Sequence, residues 1–254
     1  MPKLTEAKDS ITNSTRRMIL AYGPAKSGKT TFACNLMGKE NTVVLAFDHD
    51  GTKSVLPIDV FYMDSKRPWE DWLETTNELQ KLKGKKKCIV LSDLTSASRL
   101  MLYTAGEFKD PRKTYGVAID RMTQMINKLK FEFTWATVIL EAVDIYIEDE
   151  NEKVTVALPN VIGKATFAPT IPAMVDDVFY FLNPRVTKEY NTTTKQFVQK
   201  VERFILTSSD GFKLAGNRVN KAGEEQILDL NEEVSIGVDG NMSHLQSLRE
   251  RMGL

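Results

Sequence analysis

Gly23-Pro24-Ala25-Lys26-Ser27-Gly28-Lys29-Thr30-Thr31 follows the apolar run Arg17-Met-Ile-Leu-Ala-Tyr22 and leads into a helix-like pattern from Thr30 to Gly38. Its first eight residues satisfy G-x-x-x-x-G-K-[ST], the P-loop. Each residue type has a physical task. Gly23 and Gly28 permit backbone angles that turn successive N–H groups into one concavity, bridged by Pro24, Ala25, Lys26 and Ser27. The helix starting near Lys29 adds its positive end. Lys29 is expected to reach the β- and γ-phosphates of a nucleotide, Thr30 to place its hydroxyl on Mg²⁺, and Thr31 to close the nucleotide-binding stretch. The competing reading is a Gly-rich strand-to-helix turn that binds nothing. Lys26 reads as a solvated loop lysine, because the extra lysine of deviant P-loops directly follows the first glycine, where Pro24 stands.

Outward from this motif, strand-like and helix-like patterns alternate. Thr42-Val-Val-Leu-Ala-Phe47 is a second buried strand, tipped by Asp48-His49-Asp50-Gly51. Pro68 to Lys83 has helical periodicity, with Pro68 in its first turn and Gly84 at its end. Lys87-Cys-Ile-Val-Leu91 is a third strand ending at Ser92-Asp93. A helix over 94–106, a loop over 106–115, a helix over 116–130 and the strand Thr137-Val-Ile-Leu140 follow. This alternation predicts βαβ units and a mostly parallel sheet covered on both faces. From about residue 143 the pattern shifts. Ile145-Tyr-Ile147 and Val154-Thr-Val-Ala157 flank the acidic stretch Glu148–Glu152 as a hairpin. The runs 175–182 and 197–206 read as antiparallel additions, and 242–252 as a short helix opened by a Ser243/Gln246 capping box. The expected organisation is a flexible lead-in over 1–17, one α/β domain over 18–230, and a tail with a short helix over 231–254.

Asp93 ends an apolar strand, the setting of an acid that holds a Mg²⁺-bound water; it also suits a helix N-cap, and the two roles are compatible. Asp48 and Asp50 end the strand after the P-loop helix, which in a parallel sheet faces the nucleotide. Asp50 is the candidate to orient or deprotonate water, against plain Asp-Gly turn chemistry. His49 lacks Cys or His partners and makes a weak metal ligand.

The charge balance is 34 Lys plus Arg against 34 Asp plus Glu in 254 residues, with 42% apolar residues. That excludes collagen-like and wholly disordered chains and a uniformly cationic nucleic-acid binder. No apolar run reaches 18 residues, so no membrane span is expected, and the N-terminus reads as non-secretory. Cys34 and Cys88 read as buried thiols that fit a reducing cytoplasm. The cluster Lys81, Lys83, Lys85, Lys86 and Lys87 reads as a solvated face. No guanine-reading N-K-x-D string is present, which favours ATP.

Together, Tyr22–Thr31, the tip Phe47–Asp50, Val90–Thr95, Tyr115-Gly116, Pro159–Lys164 and Asp176–Leu182 resemble the RecA-like P-loop ATPases, over roughly residues 17–220. The resemblance is strongest to phage nucleotide-binding AAA proteins and to RecA-like phage single-strand annealing proteins. It implies ATP and Mg²⁺ as cofactors, a homo-oligomeric ring or filament, single-stranded DNA as partner, and possible association with a single-strand-binding protein in the host cytoplasm. The family would place Glu where Asp50 stands, and a polar sensor near Glu141. Its Lys-x-Arg trans finger corresponds to Gly216-Asn217-Arg218, which retains Arg218 alone. Its DNA-facing loops correspond to 106–116, with Lys109, Arg112, Lys113 and Tyr115, and to 144–165, where Lys164 is better placed than the acidic tip. Basic residues with an aromatic suit backbone contact plus base stacking; a solvated loop has the same composition. A nucleotide-gated adaptor of the helicase-loader type stays open, as does a small-molecule kinase, although no arginine-bearing lid is evident.

Overall fold

The structure, a computed structural model, describes residues 16–48, 50–106, 110–148, 155–191, 195–207, 213, 215–217, 233–238, 245–252 and 254. Its strands are β1 (Met18–Gly23), β2 (Thr42–Ala46), β3 (Asp59–Tyr62), β4 (Cys88–Ser92), β5 (Thr137–Glu148), β6 (Thr155–Pro159), β7 (Asp177–Phe181), β8 (Arg185–Asn191), β9 (Gln196–Leu206), β10 (Gly216–Asn217) and β11 (Glu233–Val238). Its helices are α1 (Lys29–Leu36), α2 (Pro68–Gln80), α3 (Leu94–Tyr103), α4 (Pro111–Glu132), the single turn α5 (Ile171–Met174) and α6 (Leu245–Met252).

One sheet runs in the order β11-β9-β7-β1-β5-β4-β2-β3. The six strands from β7 to β3 are parallel to one another, while β9, β10 and β11 add antiparallel pairs on the β7 side. The chain is thus α/β. Of the two later runs expected as antiparallel additions, 197–206 is one, as β9, but 175–182 is not: β7 pairs parallel with β1 and extends the parallel sheet, and the change of direction comes one strand later, between β7 and β9. β5 also pairs antiparallel with β6, the two arms of the expected hairpin; its tip, 149–154, lies outside the described residues.

The continuous apolar runs of β1, β2 and β4 follow from burial on both faces. Side chains alternate across a strand. Met18, Leu20 and Tyr22 enter a core with Trp72, Met101, Met122 and Ile126 from α2, α3 and α4. Ile19 and Ala21 enter a second core with Phe32, Phe179, Phe181, Ile205 and the α6 residues Leu245, Leu248 and Met252. Residues 233–238 and 245–252, expected within a tail, therefore contribute a strand paired to β9 and a helix packed on the α1 face.

The expected loop over 106–115 is corrected by the structure. Its second half is the start of α4, because Asp110 accepts a hydrogen bond from the Arg112 N–H and Pro111 suits the first helical position. Arg112, Lys113 and Tyr115 therefore lie on a helix, and Lys109 lies outside the described residues. Two strands, β3 and β8, have no clear counterpart in the sequence reading. Cys34 and Cys88 are free and buried, and desolvation pushes both thiols up, Cys88 to about 12.

Candidate nucleotide-binding site

The loop between β1 and α1 is shaped by its glycines. Gly23 has φ +147°, and a Cβ there would lie 2.4 Å from the Phe181 carbonyl of β7. Gly28, the N-cap of α1, has φ +101°. Lys26 between them is also left-handed, at φ +62°. Such positive-φ residues between helical ones turn backbone N–H groups inward, the geometry of an anion-binding nest.

Lys29 is the first residue of α1 and is 8% exposed. Its ammonium donates to the Gly23 carbonyl at 3.0 Å, the Pro24 carbonyl at 2.7 Å and the Ser27 hydroxyl at 3.4 Å. Burial pulls this lysine below its ordinary range, opposed by the charges of Glu141, Asp144 and Asp93. The three hydrogen-bond acceptors of Lys29 are all neutral oxygens.

Thr30 donates to Glu141 Oε2 at 3.0 Å, and Ser92 donates to the same oxygen at 2.8 Å. Glu141 is 1% exposed, and its Oε1 is buried with no hydrogen-bond partner. Desolvation raises its carboxyl to about 7, against the hydroxyl bonds and the Lys29 charge. The position follows from register: β1 lies between β5 and β7, and Ala21 pairs with Glu141. An acid inside the otherwise apolar run Thr137–Ala142 is the sequence signal for this residue.

Asp93 caps α3, accepting from the Ser96 N–H at 2.8 Å and the Ser96 hydroxyl at 3.3 Å. Burial raises its carboxyl despite these bonds. Among the described residues no three His, Cys, Asp or Glu side chains form a metal-holding cluster. Mg²⁺ takes one or two protein ligands and completes its shell with phosphate oxygens and water. The Thr30 hydroxyl and the Asp93 carboxylate are the groups that would hold such an ion, with Glu141 accepting from Thr30 behind them.

Asp50 sits on the tip beside this cluster, where a Cβ built on Gly51 would lie 3.8 Å from the Ser92 hydroxyl, but its side chain turns to solvent. Its carboxylate is 79% exposed and pairs with Lys53 at 2.5 Å, while its N–H donates to Asp48 in a tight turn. His49 and Arg218 fall outside the described residues. Two site residues were not singled out from the sequence. Asp144 faces Lys29 electrostatically and accepts from the Tyr180 hydroxyl at 2.7 Å. Arg203 of β9 lies against Gly28.

Tyr115 and Lys164, far apart in sequence, line one cleft of about 580 Å³ together with Ser98, Arg99, Asn160 and Thr166. Arg99 and Lys164 are exposed there, Tyr115 is half-exposed, and the Ile162 N–H donates to Ser98 at its base. Arg112 and Lys113 do not line it. Of the lysines read as a solvated face, Lys86 pairs with Asp59 and donates to the Glu40 carbonyl, and Lys81 pairs with Glu78.

A family model described as AAA domain matches residues 15–219, from the lead-in arginines through β10. The chain belongs to this AAA domain family. Membership agrees with the P-loop geometry and marks a nucleotide-binding, ATPase-type domain; for such a domain nucleotide and Mg²⁺ are the expected ligands. No curated protein matches the chain. Among the described residues of the AAA domain, no helix is long and apolar enough to cross a membrane.

Proposed function

We propose that this AAA domain is a Mg²⁺-dependent ATPase of phage DNA recombination or single-strand annealing, in which ATP bound by a homo-oligomer is coupled to single-stranded DNA. The observation that carries the reading is the convergence of Lys29, Thr30, Asp93 and Glu141 on the P-loop. Mg²⁺, when bound, neutralises and orients the phosphate oxygens. The chain's own part is positioning and electrostatics. Lys29 and the loop N–H groups hold phosphate charge. Thr30 and Asp93 hold the metal, and Glu141 fixes the Thr30 hydroxyl by accepting its hydrogen bond. Asp50 is the candidate to orient water once released from Lys53, and Arg218 the candidate to reach a neighbouring subunit's site. The DNA half of the reading leans on the cleft of Arg99, Tyr115 and Lys164, two cations flanking an aromatic that can stack on a base.

The test is ATP turnover with and without single-stranded DNA, for wild type and Lys29→Ala. Stimulation by DNA that the substitution abolishes supports the reading; turnover only in the presence of a small-molecule acceptor overturns it. The exposed Asp50–Lys53 pair favours one second reading, a nucleotide-gated adaptor with weak hydrolysis. In that case ATP binds tightly, and turnover stays slow with or without DNA.

A further inference from the structure

Ile205 of β9 packs with Phe32 in the core beneath α1. Strand residues two apart share a face, so Arg203 is the next β9 residue on that face, toward the N-terminal end of α1. A Cβ built on Gly28 would lie 2.6 Å from Arg203 Cδ and 2.9 Å from its Nε. The arginine stem thus lies on the α-carbon of the residue that opens α1, next to Lys29. Its Nε is buried with no hydrogen-bond partner. A buried guanidinium N–H normally finds an acceptor, and each unmet one costs free energy. The strand is held in place from both sides: Phe181 pairs with Ile205 on β7, and Gly237 pairs with Arg203 on β11.

We propose that Arg203 is a phosphate ligand acting in cis, donating to the β- or γ-phosphate of the nucleotide held by its own P-loop. Resting on the nucleotide-binding reading above, the proposal adds a second cation to Lys29. Guanidinium suits this task, being permanently charged and presenting a planar fork of donors matched to phosphate oxygens. Lys29 reaches back to the Gly23 and Pro24 carbonyls, while Arg203 lies against Gly28 at the other end of the loop sequence. Gly28 is then required twice, once for its φ of +101° and once because a side chain would occupy the space of the arginine stem.

The test is equilibrium binding of ATP, ADP and AMP to wild type, Arg203→Lys, Arg203→Ala and Gly28→Ala, each checked for folding by its thermal midpoint. Arg203→Ala should bind ATP about 10–100-fold more weakly, the range for losing a charge-assisted bond, and bind AMP within about twofold of wild type. Arg203→Lys should fall between them, and Gly28→Ala should weaken ATP binding as well by displacing the arginine stem. Equal losses for ATP and AMP would mean that Arg203 serves the fold alone, and unchanged ATP affinity would overturn the proposal outright. Mixing Lys29→Ala with Arg203→Ala protein adds a separate readout: a cis ligand leaves the mixture no more active than its components assayed apart, and turnover above their sum would place Arg203 in the neighbour's site instead. A wild type that binds none of the three nucleotides would overturn the ATPase reading itself. A wild type that binds them, with Arg203→Ala indistinguishable from it, overturns this proposal alone.

Discussion

The hydroxyl of Thr30 donates to the Glu141 carboxylate across 3.0 Å, joining the first turn of α1 to the buried middle of β5. Ser92, at the end of β4, donates to the same oxygen. A helix and two strands of the sheet therefore meet at one carboxylate whose other oxygen is buried without a partner.

That arrangement makes apo stability depend on pH. The Glu141 carboxyl titrates near 7 in the folded chain and near 4.5 when exposed. Folding therefore favours its protonated form. The penalty is absent below about 4.5, grows as pH rises, and is complete above about 7. Glu141→Gln removes it, with an upper limit on the order of 3 kcal/mol. Urea unfolding without nucleotide should show the variant more stable than wild type at pH 8 and nearly equal near pH 4. A difference that does not change with pH would contradict the burial argument.

Asp93 carries a structural and a proposed metal role that substitution can separate. Asn caps a helix about as well as Asp, whereas Ala costs about 1 kcal/mol. Asp93→Asn should therefore keep wild-type stability while its turnover demands higher Mg²⁺. Asp93→Ala should lose both. Identical Mg²⁺ dependence in Asp93→Asn and wild type would reduce the residue to a cap.

Arg17 and Asp177 form a bidentate ion pair, 7% and 0% exposed, beside β1 and β7. Arg17 also donates to the Met252 carbonyl of α6 at 3.4 Å. Burial raises the Asp177 carboxyl, and the guanidinium pulls it back. Arg17→Met leaves a buried carboxylate unpaired and should cost about 3–5 kcal/mol. The double variant Arg17→Met with Asp177→Leu should recover most of that loss. Chemical denaturation of the four proteins gives the coupling; purely additive losses would refute it.

The cleft lined by Arg99, Tyr115 and Lys164 predicts two different signatures on single-stranded DNA. Tyr115→Ala should weaken binding by about 1–3 kcal/mol, the scale of one lost base stack. Lys164→Ala should lower the dependence of affinity on salt by about one ion, as for one lost phosphate contact. Fluorescence anisotropy across a salt series checks both. Equal affinity and slope in all three proteins would remove the cleft from the DNA reading.

Local chemistry made much of this protein legible in advance. Gly23 and Gly28 at their spacing mark the phosphate loop, because few backbones other than a strand-to-helix turn use that pattern. The apolar runs of β1, β2 and β4 announce a parallel sheet buried on both faces. The antiparallel pairing of β5 with β6 follows from two β-prone runs around an acidic turn. By composition Lys109–Tyr115 reads as a loop, being polar and charged, yet Asp110 and Pro111 form a cap that outweighs composition.

What the amino-acid order alone determined is whatever depends on neighbours within a few residues: loop, strand and cap. Which acid stands behind Thr30 is a matter of register, since Ala21 must pair with Glu141 before the carboxylate can reach α1. The approach of Arg203 to Gly28 depends on β9 joining the sheet beyond β7, across a sequence separation of 175 positions. Only the tertiary structure decides such meetings, because burial of apolar faces against one another sets where strands lie, and the charged residues they carry arrive with them.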